Sequence, residues 1–330
     1  MTRAAQLRRE NSGAAALGRP SRGPWADVWH RLIQKKRAVF GLVVITFFAL
    51  VAVLAPALAP HDPLELGWGR VYLPPAWVTH SATGRVGDPQ FLLGTDTSGR
   101  DLLSRLIYGT RASMFIGLSA TPIVAVVGTL IGLAAGYAGG RKGNLIMRVT
   151  DVFYAFPAIM FYVLITLTLR ETAFGKWMNG LAMLLLALVL IGWVGLARLT
   201  CSAVLSIKES QFVEAARSIG ASNRRIVARH VLPNCLSLIV IWMAFAIPRM
   251  IMIEAVLGYL GIGLIPVVDS SQSFFVTTWG GLFLDGRMAI NTHPTMLLAP
   301  TLCVALVGMA FTFVGDALRD VLDPRMRNLI

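Results

Sequence analysis

Charge is scarce in this 330-residue chain: Asp, Glu, Lys and Arg make up 14% of it, whereas 55% is hydrophobic. A soluble globular chain carries about 25% charged residues, so this composition cannot dress a large water-facing surface. A large soluble enzyme is excluded on that ground, and a disordered chain by the high apolar content. Cysteine is nearly absent. Cys201, Cys235 and Cys303 lie in or beside apolar runs with no CxxC pair, and read as small hydrophobes with neither a disulfide framework nor a metal site. The histidines His30, His61, His80, His230 and His293 are scattered without ligand spacing. No G-x-S-x-G or paired-carboxylate arrangement stands out. A phosphate-binding loop is missing too, because Gly175-Lys176 is followed by Trp177 and lacks the earlier glycine of G-x-x-x-x-G-K-[ST].

Long apolar runs are what the chain has in abundance, and about 20 such residues make one membrane-spanning helix. Six stretches qualify, near Ala38 to Ala59, Ala112 to Tyr137, Val152 to Leu169, Leu181 to Ala197, Cys235 to Leu257, and Thr295 to Gly315. Only the fifth holds charges well inside it, Arg249 and Glu254. The first run is too long, and begins too far along the chain, for a signal peptide cleaved at Ala57-Leu58-Ala59. Arg8-Arg9 is no twin-arginine signal, since no apolar core follows it closely. With the N-terminus inside, 21 of the 30 Lys and Arg fall in inner segments and 8 in outer ones. The positive-inside rule therefore places both termini in the cytoplasm. The net charge of +13 mostly reflects this asymmetry, so no nucleic-acid partner is needed. The expected fold is an all-α membrane protein of six transmembrane helices.

The chain divides accordingly. Residues 1–37 form a cytoplasmic tail, disordered to about residue 23, followed by a short helix from Pro24. In that helix Trp25, Val28, Trp29, Leu32 and Ile33 share one face, while His30, Arg31, Lys35, Lys36 and Arg37 take the other positions. This suits a helix lying on the inner leaflet, or an ordinary start of the first span. Residues 38–60 hold the first span and 61–111 an outer segment. Near the end of that segment Ser98 and Asp101 make an S-x-x-D capping pattern before Leu102, Leu103, Leu106 and Ile107. Residues 112–315 form the helical core, and 316–330 a cytoplasmic tail. Gly128, Gly132 and Gly136 repeat at the spacing that lets helix backbones approach.

The inner stretch 199–234 is too patterned for a connector. Phe212, Ala215, Ala216 and Ile219 make one face of a short helix, with Ser210 placed to cap it and Gly220 to end it. Ser222 can cap a second helix carrying Ile226, and Pro233 marks the entry to the fifth span. A helix-turn-helix facing the cytoplasm results. It reads as a DNA-binding unit, a solvated basic loop, or a docking element that passes motion from a partner into the spans. A DNA reader must project into a major groove, and this unit is pinned between two spans.

The stretch resembles the EAA loop of permease subunits of ATP-binding-cassette importers. Glu214, Ala215, Ala216, Gly220, Leu232 and Pro233 match its pattern, with Ala221 inside it and His230 where the pattern has Ile, as is usual in the peptide-type branch. Leu93-Gly94-Thr95-Asp96, Gly99-Arg100-Asp101, Ser104-Arg105, Tyr108-Gly109 and Arg111 are similar to the segment before the second span of the C-type subunit in the dipeptide, oligopeptide and nickel group. Gly139-Gly140, Met147-Arg148, Asp151 and Pro157 extend the likeness, as do Ile247-Pro248, Glu254-Ala255, Leu260-Gly261, Gly263, Trp279-Gly280 and Gly286-Arg287. One departure is a longer, Ser-rich Val267 to Thr278 where the family has a short Pro-rich link.

The resemblance implies a type I (MetI-like) importer core in the bacterial inner membrane. It also implies a second, B-type permease subunit, two cytoplasmic ATPases and an extracytoplasmic substrate-binding protein. Cargo would be di- or oligopeptides, or alternatively nickel complexes or other small solutes. The chain is then no enzyme and holds no cofactor, ATP and Mg being bound by the ATPases. A stand-alone secondary carrier is the alternative of another class, and it would call for an inverted repeat, which is not visible. Arg249 and Glu254 stand about 140° apart on a helix, too far round for a mutual ion pair. They either line a path for a zwitterionic peptide or contact structural neighbours.

Overall fold

A computed structural model describes residues 24–79, 84–267 and 274–322. The expected tail 1–23 with Arg8-Arg9, the side chain of Trp25, His80, residues 268–273 of the Ser-rich link 267–278 and the end of the tail 316–330 lie outside the described residues. Regular structure among those described is helical, apart from one isolated antiparallel bridge between Thr95 and Asp101.

The chain opens with α1 (Pro24–Ile33), α2 (Lys36–Val53) and the single turn α3 (Ala55–Leu58). Leu32 of α1 is buried in a small cluster with Ala38 and Ala317, while Trp29 and Ile33 are exposed. The described residues that follow are non-helical up to α4 (Leu102–Ala138). Asp101 is its cap: the carboxylate accepts from Ser104 N at 3.0 Å and Leu103 N at 3.3 Å. Ser98 does not cap this helix, contrary to the S-x-x-D reading, since the N-cap is Asp101, three residues later, and Ser98 N instead donates to Asp96 Oδ1.

Next come α5 (Gly140–Ala155) and α6 (Ala158–Leu169), bent by 81° from one another. The expected straight span Val152 to Leu169 is therefore broken. A residue before proline is pushed out of the α region, and Phe156, at φ −83° and ψ 140°, takes that extended conformation ahead of Pro157. After α7 (Ala173–Lys176) and a kink at Met178 and Asn179 runs α8 (Leu181–Lys208). Then follow α9 (Gln211–Ser218), α10 (Asn223–Ile226), α11 (Leu232–Tyr259), α12 (Trp279–Met288) and α13 (Thr295–Leu322).

Among the described residues five helical runs are long and apolar enough to cross a membrane, and six if α5 and α6 together form one bent span. Their apolar side chains face outward in number: Val43, Phe47 and Leu50 on α2, Val126 and Leu130 on α4, Leu298 and Leu302 on α13 are all exposed. Such a surface suits hydrocarbon as its solvent.

The glycine repeat sets the central packing. A Cβ on Gly132 would stand 2.6 Å from both the Ala197 carbonyl oxygen and Thr200 Cβ; one on Gly136 would stand 2.7 Å from Val204 Cβ. Contacts advance together along both helices, from Gly128 against Trp193 to Gly136 against Val204, so α4 and α8 run parallel with their backbones touching. On the other flank Gly41 of α2 meets the backbone of Ala310 in α13. Both parallel helices therefore end at the same level, and the helix-turn-helix begins there.

Candidate functional site

The loop after α8 folds largely where its sequence signals place it. Ser210 stands at the N-cap of α9, although its hydroxyl donates back to the Ile207 carbonyl at 2.6 Å and caps no α9 amide. At the other end Gly220 takes φ +81°, its N–H donates to the Arg217 carbonyl, and Ala221 N–H donates to the Ala216 carbonyl at 3.1 Å. These two bonds make a Schellman ending, and a residue with a Cβ would be strained at that glycine.

The apolar stripe divides differently from the single face expected. Val213 and Ala216 are buried with Ile226, Val231, Cys235, Val204 and Leu196. Phe212 and Ala215 are exposed, and Ile219 is 86% exposed. Glu214 is exposed as well. Buried Val213 anchors the unit, while Phe212, Ala215 and Ile219 present an apolar surface away from the bundle. Ser222 is the N-cap of α10, again without a side-chain cap bond. A π-helical turn at Val227–Val231 then joins α10 to α11, so that Asn223 to Tyr259 is one continuous helical run. Pro233 lacks an N–H, and it sits in the first turn after the wide one, where no narrow helix is interrupted. The His230 carbonyl accepts from Asn234 Nδ2 at 2.6 Å, and the His230 ring lies 6.4 Å from that of Phe212.

The two intramembrane charges part company. Arg249 is on the exposed side of α11. Glu254 is 0% exposed. Its Oε2 accepts from Ser113 Oγ of α4 at 3.1 Å, and that hydroxyl in turn accepts from Trp279 N, the first amide of α12, at 3.1 Å. A carboxylate beside a helix N-terminus is favoured by the unpaired amides and the dipole there. Gly280 lets it come close, since a Cβ at that position would stand 2.8 Å from Glu254 Oε1.

Comparison with known proteins fits these features. Residues 128–328 match the family described as the binding-protein-dependent transport system inner membrane component. This chain belongs to that family. Residues 23–75 also match the N-terminal TM domain of oligopeptide transport permease C, which puts the permease in the C-type branch. It is 34% identical over 319 residues to the dipeptide transport system permease protein DppC of Bacillus subtilis (strain 168), covering 96% of this chain and 91% of the relative. Against the oligopeptide transport system permease protein OppC of Haemophilus influenzae it is 32% identical, covering 93% and 90%. A chain of an inward-facing structure of the MetNI methionine ABC transporter superposes with a TM-score of 0.52 at 19% identity, over 67% of this chain and 98% of that one. That likeness is one of fold.

Sequence reasoning missed how the permease ties its non-helical segment to the bundle. Asp96, fully buried, receives Arg100 Nε at 2.7 Å and Arg105 Nη1. Arg105 also reaches Asp285 of α12 at 2.5 Å, 180 residues away. Arg100, Arg105 and Asp285 border a cavity of about 130 Å³ with Arg170, Gly258 and Thr278. Asp96, Arg100 and Arg105 carry part of the family resemblance, but no local spacing points to Asp285.

Proposed function

We propose that this chain is a translocating permease subunit of an ATP-driven importer for di- and oligopeptides, coupled to partner ATPases through the loop 199–234. The observation that carries this reading is the exposed apolar face of α9 at Phe212, Ala215 and Ile219, held rigidly by buried Val213 and the Gly220 turn. An apolar patch kept out of the bundle core marks an interaction surface. Exposed Glu214 adds a charge for a basic counterpart, and Ala215 permits close approach. The complete assembly has a B-type permease partner, two ATPases that bind ATP and Mg, and an extracytoplasmic binding protein. It resides in the cytoplasmic membrane of a bacterium, with six spans if the bent α5–α6 pair is one of them and both termini inside.

Peptide cargo is favoured over nickel complexes by the names of the relatives, which are dipeptide and oligopeptide permeases. Of the two intramembrane charges, Arg249 is the one we assign to the path, because its side chain is exposed on α11 while that of Glu254 is consumed within the subunit. Co-purification tests the reading: the full chain retains two ATPase subunits, and radiolabelled di- and tripeptides enter vesicles only with ATP. A secondary carrier would take them up without ATPases.

A further inference from the structure

The helix-turn-helix is fastened to the bundle by more than its chain connections. Tyr137, next to the last residue of α4, meets the ends of two other helices. Its phenol O–H donates to Asn223 Oδ1 at 2.8 Å, and Asn223 is the first residue of α10. Its backbone carbonyl, among the last four of α4 and so without an intrahelical partner, accepts from Lys208 Nζ at 2.8 Å. Lys208 closes α8, and its ammonium also lies 5.4 Å from the centre of the Tyr137 ring. A cation at the carbonyl end of a helix is favourable. The ring packs with the cluster that buries Val213, Ala216 and Ile226.

These contacts differ in what they can transmit. Apolar burial at Val213 and Ile226 is non-directional. A hydrogen bond fixes both distance and direction. Behind Tyr137, α4 is locked to α8 by the backbone contacts of Gly128, Gly132 and Gly136. A displacement of α10 that pulls on Tyr137 therefore moves two spans as one body.

We infer that Tyr137 is the positioning residue that passes movement of the docking loop to the α4–α8 pair. This rests on the proposed ATPase coupling and names its relay. The test uses the reconstituted complex with its permease partner, ATPases and binding protein, and reads tripeptide transported per ATP hydrolysed. Tyr137→Phe and Asn223→Leu each delete the bond, whereas Asn223→Asp keeps the acceptor. The ratio should fall roughly three- to tenfold in the first two variants, as loss of one hydrogen bond allows. Their combination should lower it no further, and Asn223→Asp should stay near the unmodified chain. ATPase retention and thermal stability should hold throughout. An unchanged ratio in Tyr137→Phe and Asn223→Leu, with ATPases retained, overturns the relay. Failure of the unmodified chain to retain ATPases overturns the docking reading beneath it, and shows before any variant is made.

Discussion

Ser113 donates its hydroxyl proton to the buried carboxylate of Glu254 at 3.1 Å while accepting the Trp279 amide, so one serine links α4, α11 and α12. This gives a structural account of a charge deep inside an apolar span. Glu254 holds the start of a short helix whose backbone lies against its own. Burial separates Glu254 from exposed Arg249, two charges that the sequence alone presents as a pair.

Glu254→Gln should keep the acceptor and the shape of this junction, and cost no more than about 1 kcal/mol. Glu254→Ala removes the acceptor, leaves the Ser113 hydroxyl short of a partner, and opens a hole, at a cost of about 2–4 kcal/mol. Thermal unfolding of the detergent-purified complex checks both. Equal stability of the two variants would contradict the role given to the carboxylate.

The ion cluster on the non-helical segment should behave as a buried one. Arg105 is 5% exposed between Asp96 and Asp285. Replacing it with Met leaves buried Asp96 with Arg100 as its remaining cation, and should cost about 3–5 kcal/mol. Asp285→Asn, at a more exposed position, should cost less than about 1 kcal/mol. Limited proteolysis between residues 61 and 101 provides a second readout, with Arg105→Met cut faster.

His293 gives a pH dependence. It lies buried against Tyr72, with ring centres 5.2 Å apart, and burial holds its pKa below the ordinary 6.5, with nearby Arg85 adding to the shift. The unfolded chain then takes up a proton at a pH where the folded chain does not, so stability falls as pH drops below about 6.5 and levels off below the folded value. His293→Gln should flatten that acid limb of the thermal-stability profile. An unaltered limb would assign it to other groups.

Much of this was legible before the structure. Gly220 marks the end of α9 because a left-handed glycine is local chemistry, and Ser210 and Ser222 stand at the starts of α9 and α10 although neither makes a side-chain cap bond. The Gly128-Gly132-Gly136 repeat announces close packing for the same reason, although nothing in it names α8 as the partner. Which side of α9 faces the bundle was not legible. Periodicity groups Phe212, Ala215 and Ile219 with Ala216, but only packing against Ile226 and Val204 decides that Val213 goes in and Ile219 stays out. Hydropathy likewise runs straight across Phe156-Pro157, where proline sterics break the helix. The links Arg105 to Asp285 and Tyr137 to Asn223 join residues 180 and 86 apart in the chain, beyond any local pattern.

The central claim is that the helix-turn-helix couples this permease to ATPases, and the Gly220 turn offers the most direct measurement. Proline cannot adopt φ +81° and would remove the N–H that bonds Arg217, while a Cβ at position 220 would meet no other atom within 4 Å. Retention of ATPase subunits by the purified complex, together with ATP-dependent uptake of radiolabelled tripeptide, is compared between the unmodified chain and Gly220→Pro. The account predicts that the unmodified chain retains two ATPases and transports, and that Gly220→Pro loses both while still assembling with its permease partner. Unimpaired retention and uptake in Gly220→Pro would contradict it.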